Sequence, residues 1–168
     1  MSMITRESVA AKLRDRLERK NTATQLTHWA KAGMFGFYEG KQTYEPGYRD
    51  LLERIIFRIA NSSTNYRTFL YGSEIVKLIE QLGQTIDKLA TEELYKIHLI
   101  IIQRENEFIE ESVEKVANLL SEGKHCIIQQ QRMGFVVNAD SLNEDDIHQL
   151  SVALQDYNFL MWIDDYSA

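Results

Sequence analysis

The chain has 168 residues, 44% hydrophobic and 26% charged, with one Pro, eight Gly and a formal net charge of −6. That length suffices for one domain or two small ones with a buried core, and the composition excludes collagen-like, low-complexity and disulfide-rich classes. A single cysteine, Cys126, excludes an internal disulfide and a multi-cysteine metal site. No apolar run reaches the ~18 residues that cross a bilayer, and the opening MSMITRESVA has no apolar leader core. A soluble protein of a reducing, cytoplasmic compartment is expected.

The charge is distributed unevenly. Residues 1–84 hold 13 Lys+Arg and 9 Asp+Glu, a charge of +4, whereas residues 85–168 hold 6 and 16, a charge of −10. The asymmetry predicts a helical module over 1–84 and an acidic α+β module over 85–168, and a charged partner for at least one of them. The boundary is expected between Gly83 and Ala90, and packing of the two as one domain stays open.

In the first module Thr5 is the expected cap of a helix with Glu7 at its positive end and Val9, Leu13 and Leu17 on one stripe, stopping near Lys20 and Asn21. Thr24 is the expected cap of a second helix carrying Leu26, Trp29 and Ala30, with Gly33 and Gly36 interrupting it around AGMFGF. Pro46, at a first-turn position, opens a third helix with Leu51, Leu52, Ile55, Ile56 and Ile59 on its apolar face. NSSTN (Asn61 to Asn65) reads as a loop. Ser73 is the expected cap of a fourth helix with Ile75, Val76, Ile79 and Leu82, closing at Gly83. The four short helices predict an all-helical bundle, and the aromatic cluster of Phe35, Phe37, Tyr38, Tyr44 and Tyr48 at the connection between the second and third helices either packs its core, the favoured reading, or lines a groove.

The second module changes period. KIHLIII (Lys96 to Ile102) fits a buried strand or a helix, and its length and triple isoleucine favour the strand. RENEFIEESVEKVANLLSEGK (Arg104 to Lys124) has Ile109, Val113, Val116, Ala117 and Leu120 on one helical stripe and Glu107, Glu111 and Glu114 opposite, with Gly123 as its stop. HCIIQQQ (His125 to Gln131) and GFVVNA (Gly134 to Ala139) form a hairpin turning at Arg132 and Met133. Ser141 and Glu144 have capping-box spacing ahead of Ile147, Leu150 and Leu154. NFLMWI (Asn158 to Ile163) is the last strand. This βαββαβ order predicts a ferredoxin-like antiparallel sheet with both helices on one face, within an α+β protein.

Motifs for catalysis are missing: no Gly-rich phosphate loop, zinc-protease helix, nucleophile elbow or EF-hand. GMFG (Gly33 to Gly36) is too short to cradle a phosphate. His28, His98, His125 and His148 are scattered. His125 and Cys126 alternate to opposite faces of a strand and cannot act as base and nucleophile, and Cys126 reads as a small core hydrophobe. His98 is placed to meet His125 across the sheet, but no closed four-ligand set accompanies them. Glu107, Glu111 and Glu114 form a carboxylate ladder without the Glu-x-x-His of di-iron bundles. No enzyme, cofactor or metal is expected. Arg6, Lys12, Arg14, Arg16, Arg19 and Lys20 make the first helix basic, yet Glu7, Asp15 and Glu18 interleave with them as on a mixed solvated face, which argues against nucleic acid. The alternative is a two-module regulator, with the helical half on nucleic acid and the α+β half sensing a small ligand.

The segment ITRESVAAKLRDRLERKNTATQLTHWA (Ile4 to Ala30) carries a resemblance through Ile4-Thr5-Arg6-Glu7, Leu13, Leu17, Thr24, Leu26 and Trp29-Ala30. It resembles a helix pair of small bacterial immunity proteins, among them guards against contact-dependent growth inhibition toxins and colicin-like nucleases, over about a sixth of the chain. The resemblance implies a cognate protein toxin, a basic nuclease domain, neutralised by stoichiometric occlusion. Clustered carboxylates can fill a basic substrate groove as phosphate mimics. The expected surface comprises Glu107, Glu110, Glu111 and Glu114 of the acidic helix, Asp140, Glu144, Asp145 and Asp146 of the next helix start, and the terminal Asp164 and Asp165.

Overall fold

Six helices and six strands form among the residues that the computed structural model describes, namely 2–84, 97–104, 110–122, 126–139, 142 and 144–165. The protein is mixed α+β, with a four-stranded antiparallel sheet. Its described residues divide into two compact units, one from 2–63 and 70–84, the other from 64–69 and 97–165. The expectations placed on Lys96, Ile109, Gly123, His125, Ser141 and the 85–90 boundary lie outside the described residues.

The first unit contains β1 (Ser2–Ile4), α1 (Arg6–Leu17), α2 (Ala23–Tyr38), β2 (Gln42–Tyr44), α3 (Arg49–Ala60) and α4 (Gly72–Gln81). The expected four helices are present, but the unit is not all-helical: β1 and β2 pair in parallel, with Met3 opposite Thr43 and Ile4 opposite Tyr44. Thr5 begins α1 as expected, accepting from the Ser8 N–H at 3.0 Å while the Ser8 hydroxyl accepts the Thr5 N–H at 2.9 Å. The cap of α2 is Thr22, not Thr24. Gln25 stands three residues on and returns the bond to the Thr22 N–H at 2.9 Å, whereas the residue three after Thr24 is Thr27, whose hydroxyl is buried against that of Ser62 at 2.9 Å.

Gly33 and Gly36 do not interrupt α2, which runs through both to Tyr38. A Cβ on Gly33 would stand 3.4 Å from the Ile4 side chain, and one on Gly36 would stand 3.1 Å from that of Gln42. These glycines let the ribbon of β1 and β2 lie close on the helix. Pro46 precedes α3 instead of opening it. It occupies a Glu45-to-Tyr48 turn closed by the Tyr48 N–H on the Glu45 carbonyl at 3.1 Å, with Gly47 at φ +84°, the conformation that follows proline in a type II turn. Ser73 is likewise not the cap of α4, which starts one residue earlier at Gly72 behind Tyr71. Gly83 follows the end of α4, as expected.

The stripes meet in one core: Val9, Leu13 and Leu17 of α1, Leu26 and Ala30 of α2, Leu52, Ile55, Ile56 and Ile59 of α3, and Ile75, Ile79 and Leu82 around α4 are buried together. At ~1.5–3 kcal/mol for each large aliphatic chain removed from water, this apolar layer outweighs any single cap or ion pair.

The second unit contains β3 (Ile97–Gln103), α5 (Glu110–Glu122), β4 (Cys126–Gln131), β5 (Gly134–Asn138), α6 (Glu144–Gln155) and β6 (Phe159–Asp165). The order across its sheet is β4-β5-β3-β6, all neighbours antiparallel. The isoleucine-rich β3 takes a central place, as a strand flanked on both sides should. The hairpin turns at Arg132 and Met133, and β4 has an irregularity between Ile127 and Gln129. Because β5 separates β4 from β3, the cross-strand partners of His98 are Asn138 and Asp164, not residues of β4.

Burial alternates along β3 and β6, and along β5 from Phe135 onward. Leu99 and Ile101 of β3, Phe135 and Val137 of β5, and Phe159, Met161 and Ile163 of β6 share one face by register and are buried. Val113, Val116 and Leu120 of α5, which packs along β4, and Ile147, Leu150 and Leu154 of α6, which packs along β6, supply the opposing apolar layer. Residues 64–69, in and beyond the expected NSSTN loop, belong to this unit. The Ile163 N–H donates to the Thr64 carbonyl at 3.0 Å, Phe69 is 1% exposed, and the Tyr66 ring lies 5.6 Å from that of His148 on α6.

Candidate functional site

The acidic candidates divide by element. On α5, Val113, Val116 and Leu120 point inward, so Glu110, Glu111 and Glu114, at i, i+1 and i+4, are left exposed on the outer side. Glu111 also bridges Lys115 at 3.2 Å, one turn on, an exposed pair worth ~0.3–0.5 kcal/mol. On α6, Glu144 and Asp145 are exposed and Asp146 is half-buried, all in the first turn. There each carboxylate gains ~0.3–1 kcal/mol from the helix dipole. Glu114 has no such local role.

Asp164 is exposed on β6, opposite His98. Its strand face is that of Leu160 and Trp162, the side of the sheet away from the buried layer, so it does not join the carboxylates of the helices. Asp165 closes β6. Glu107 and Asp140 lie outside the described residues. Among the described residues, no group of three or more His, Cys, Asp or Glu is arranged to hold a metal, and no helix is long and apolar enough to cross a membrane.

The basic helix turns many of its cations to its own unit. Both Nε and Nη2 of Arg6 meet the Glu45 carboxylate, at 3.1 and 3.2 Å, and Glu45 also accepts the Arg6 backbone N–H at 3.1 Å. These bonds hold the Glu45 carboxyl below its usual range. Arg14 donates to Gln84 at 3.5 Å, Arg16 is buried with Nη1 on the Asn21 carbonyl at 3.1 Å, and Lys20 pairs with Glu18 at 2.7 Å. The guanidinium of Arg6 also lies 3.6 Å over the Tyr48 ring. Of the aromatics expected in the core, Tyr44 is buried and Phe37 partly so, Tyr48 is 37% exposed, and Phe35 and Tyr38 are 65% and 73% exposed. They fall on the side of α2 opposite Leu26, Ala30 and Gly33.

A second surface escapes a search for charge or motifs. Part of the outward face of the sheet is apolar: Ile102, Leu160 and Trp162 are 39%, 38% and 40% exposed, and Ile100 and Val136 are partly exposed between them. Its signal in the sequence is the apolar residue at both parities of HLIII, FVV and FLMWI, since a sheet with one buried face needs only one parity apolar.

No protein-family model matches the chain, and comparison with curated proteins and with solved structures gives no match.

Proposed function

We propose that the protein is a stoichiometric binding partner, an immunity protein that neutralises a basic bacterial toxin, a nuclease domain, by covering its substrate groove with carboxylates. The observation that carries this reading is the exposure of Glu110, Glu111 and Glu114 on α5 together with Glu144 and Asp145 on α6. The strand order β4-β5-β3-β6 and the βαββαβ succession support a ferredoxin-like layout, in which both helices stand on one side and their charges add. Binding is the whole activity in this reading, without catalysis or cofactor, in the cytoplasm where a toxin would act. The helical unit, read as a bundle, carries the segment that resembles immunity proteins.

The test is capture of the polypeptide encoded beside this gene, followed by titration at rising salt. A one-to-one complex with a basic partner is expected, weakening as salt screens it. The double substitution Glu111→Lys, Glu114→Lys should weaken binding at least tenfold and flatten the salt dependence. An unchanged affinity and salt slope would remove this surface from the interface.

A further inference from the structure

We infer that the open face of the sheet is a self-association surface, occupied by the same face of a second copy of this chain. The register sets its residues in three rows across the strands. Ile102 and Leu160 share one row with Gly134, and Ile100 lies between Val136 and Trp162 in the next. The third row is polar, with His98 between Asn138 and Asp164. On β4, Gln129 and Gln131 border the first two rows. Among the described residues this is an apolar field bordered on two sides by polar groups, the division between core and rim that protein interfaces show.

The distribution of charge selects the occupant. The helices carry the carboxylates, so two copies meeting through α5 and α6 would repel each other. Among the described residues the sheet face has one carboxylate, Asp164, beside a histidine in register, and so offers a like-charged copy its least repulsive approach. The sheet edges are poorer places to join. Thr64 already takes the Ile163 N–H of edge strand β6, and the irregularity at Ile127 and Gln129 breaks the ladder of edge strand β4.

The area fits a weak dimer. Strands about 4.8 Å apart and same-face residues about 6.8 Å apart give four strands and three rows a footprint of about 19 by 20 Å. With side-chain relief, two copies bury on the order of 1,000 Å², the lower bound for a specific interface. A two-fold axis through the middle row keeps Ile100 and Val136 at the centre of the contact in both copies. This inference is independent of the acidic surface, which would face outward in such a dimer and present two binding sites.

The test is the solution mass of the full chain by sedimentation equilibrium from about 1 to about 500 µM, a range set by the affinity such an area supports. The mass should rise from one chain to two. Ile102→Lys should hold it at one chain without changing the thermal melting curve, while Val152→Lys, at an exposed position on α6, should dimerise as the parent does. A second readout needs no change in the face: with Trp29→Phe, the emission of Trp162 should shift to the blue over the same concentrations. A single-chain mass throughout, constant Trp162 emission, or a dimer that survives Ile102→Lys would overturn the inference.

Discussion

Glu45 shows how much one side chain can organise. It follows β2, accepts the first N–H of α1 and holds two donors on one edge of the Arg6 guanidinium, so a single carboxylate ties the strand pair to the start of the first helix. Its folded pKa is lowered, chiefly by the Arg6 side chain. The stabilisation it provides is therefore complete above the unfolded carboxylate value and is lost as pH falls through the lower folded value. Carboxyl NMR should find Glu45 titrating below the ordinary glutamate range, and Arg6→Ala should return it to that range. Tyr66 is a parallel case in the second unit: hydrogen bonds from Ser151 and then Arg67 lower its hydroxyl pKa, fastening residues 64–69 to α6. Neither contact has a sequence signature, because Arg6 and Glu45 are 39 residues apart and Tyr66 and Ser151 are farther still.

Among elements, glycine has two different meanings in this chain. A Cβ on Gly134 would lie 2.5 Å from the Ile101 carbonyl oxygen, a backbone atom of the neighbouring strand that cannot turn aside. Gly134→Ala should destabilise the protein by about 1–3 kcal/mol. Gly36 instead faces the flexible side chain of Gln42 inside a helix, where alanine is favoured by about 1 kcal/mol. Gly36→Ala should thus be neutral or stabilising, and thermal melting of the two variants would separate these cases. The second-half elements were legible because period decides them: the short β-branched run became β3, the short apolar and aromatic run became β6, and the stripe of Val113, Val116 and Leu120 became the inner side of α5. The three-residue strands β1 and β2 are too short for alternation to register, and they explain the glycines of α2 that a local reading takes for breaks. The charges of α5 and α6 were equally legible, but the side of the sheet on which Asp164 falls required the strand register.

For the whole molecule, the unit built around the sheet is not a contiguous piece of sequence. Residues 64–69 contribute the buried Phe69 and the Thr64 carbonyl to it. A fragment of residues 85–168 should therefore fold poorly, with Phe69 missing at a cost of about 3–5 kcal/mol. Adding a peptide that spans residues 61–71 should restore helical and strand signal in circular dichroism. Equal stability of the fragment with and without the peptide would show the six residues to be dispensable.

The same hydrogen bond sets a timetable for the newborn chain. Thr64 and Ile163 are 99 residues apart, so at about 5–20 residues per second the ribosome delivers the partner of Thr64 some ~5–20 s after Thr64 itself. During that interval Phe69 is without its native surroundings, and the aliphatic strand β3 emerges before β6 exists to flank it. The emergence of β6 is what ends the wait.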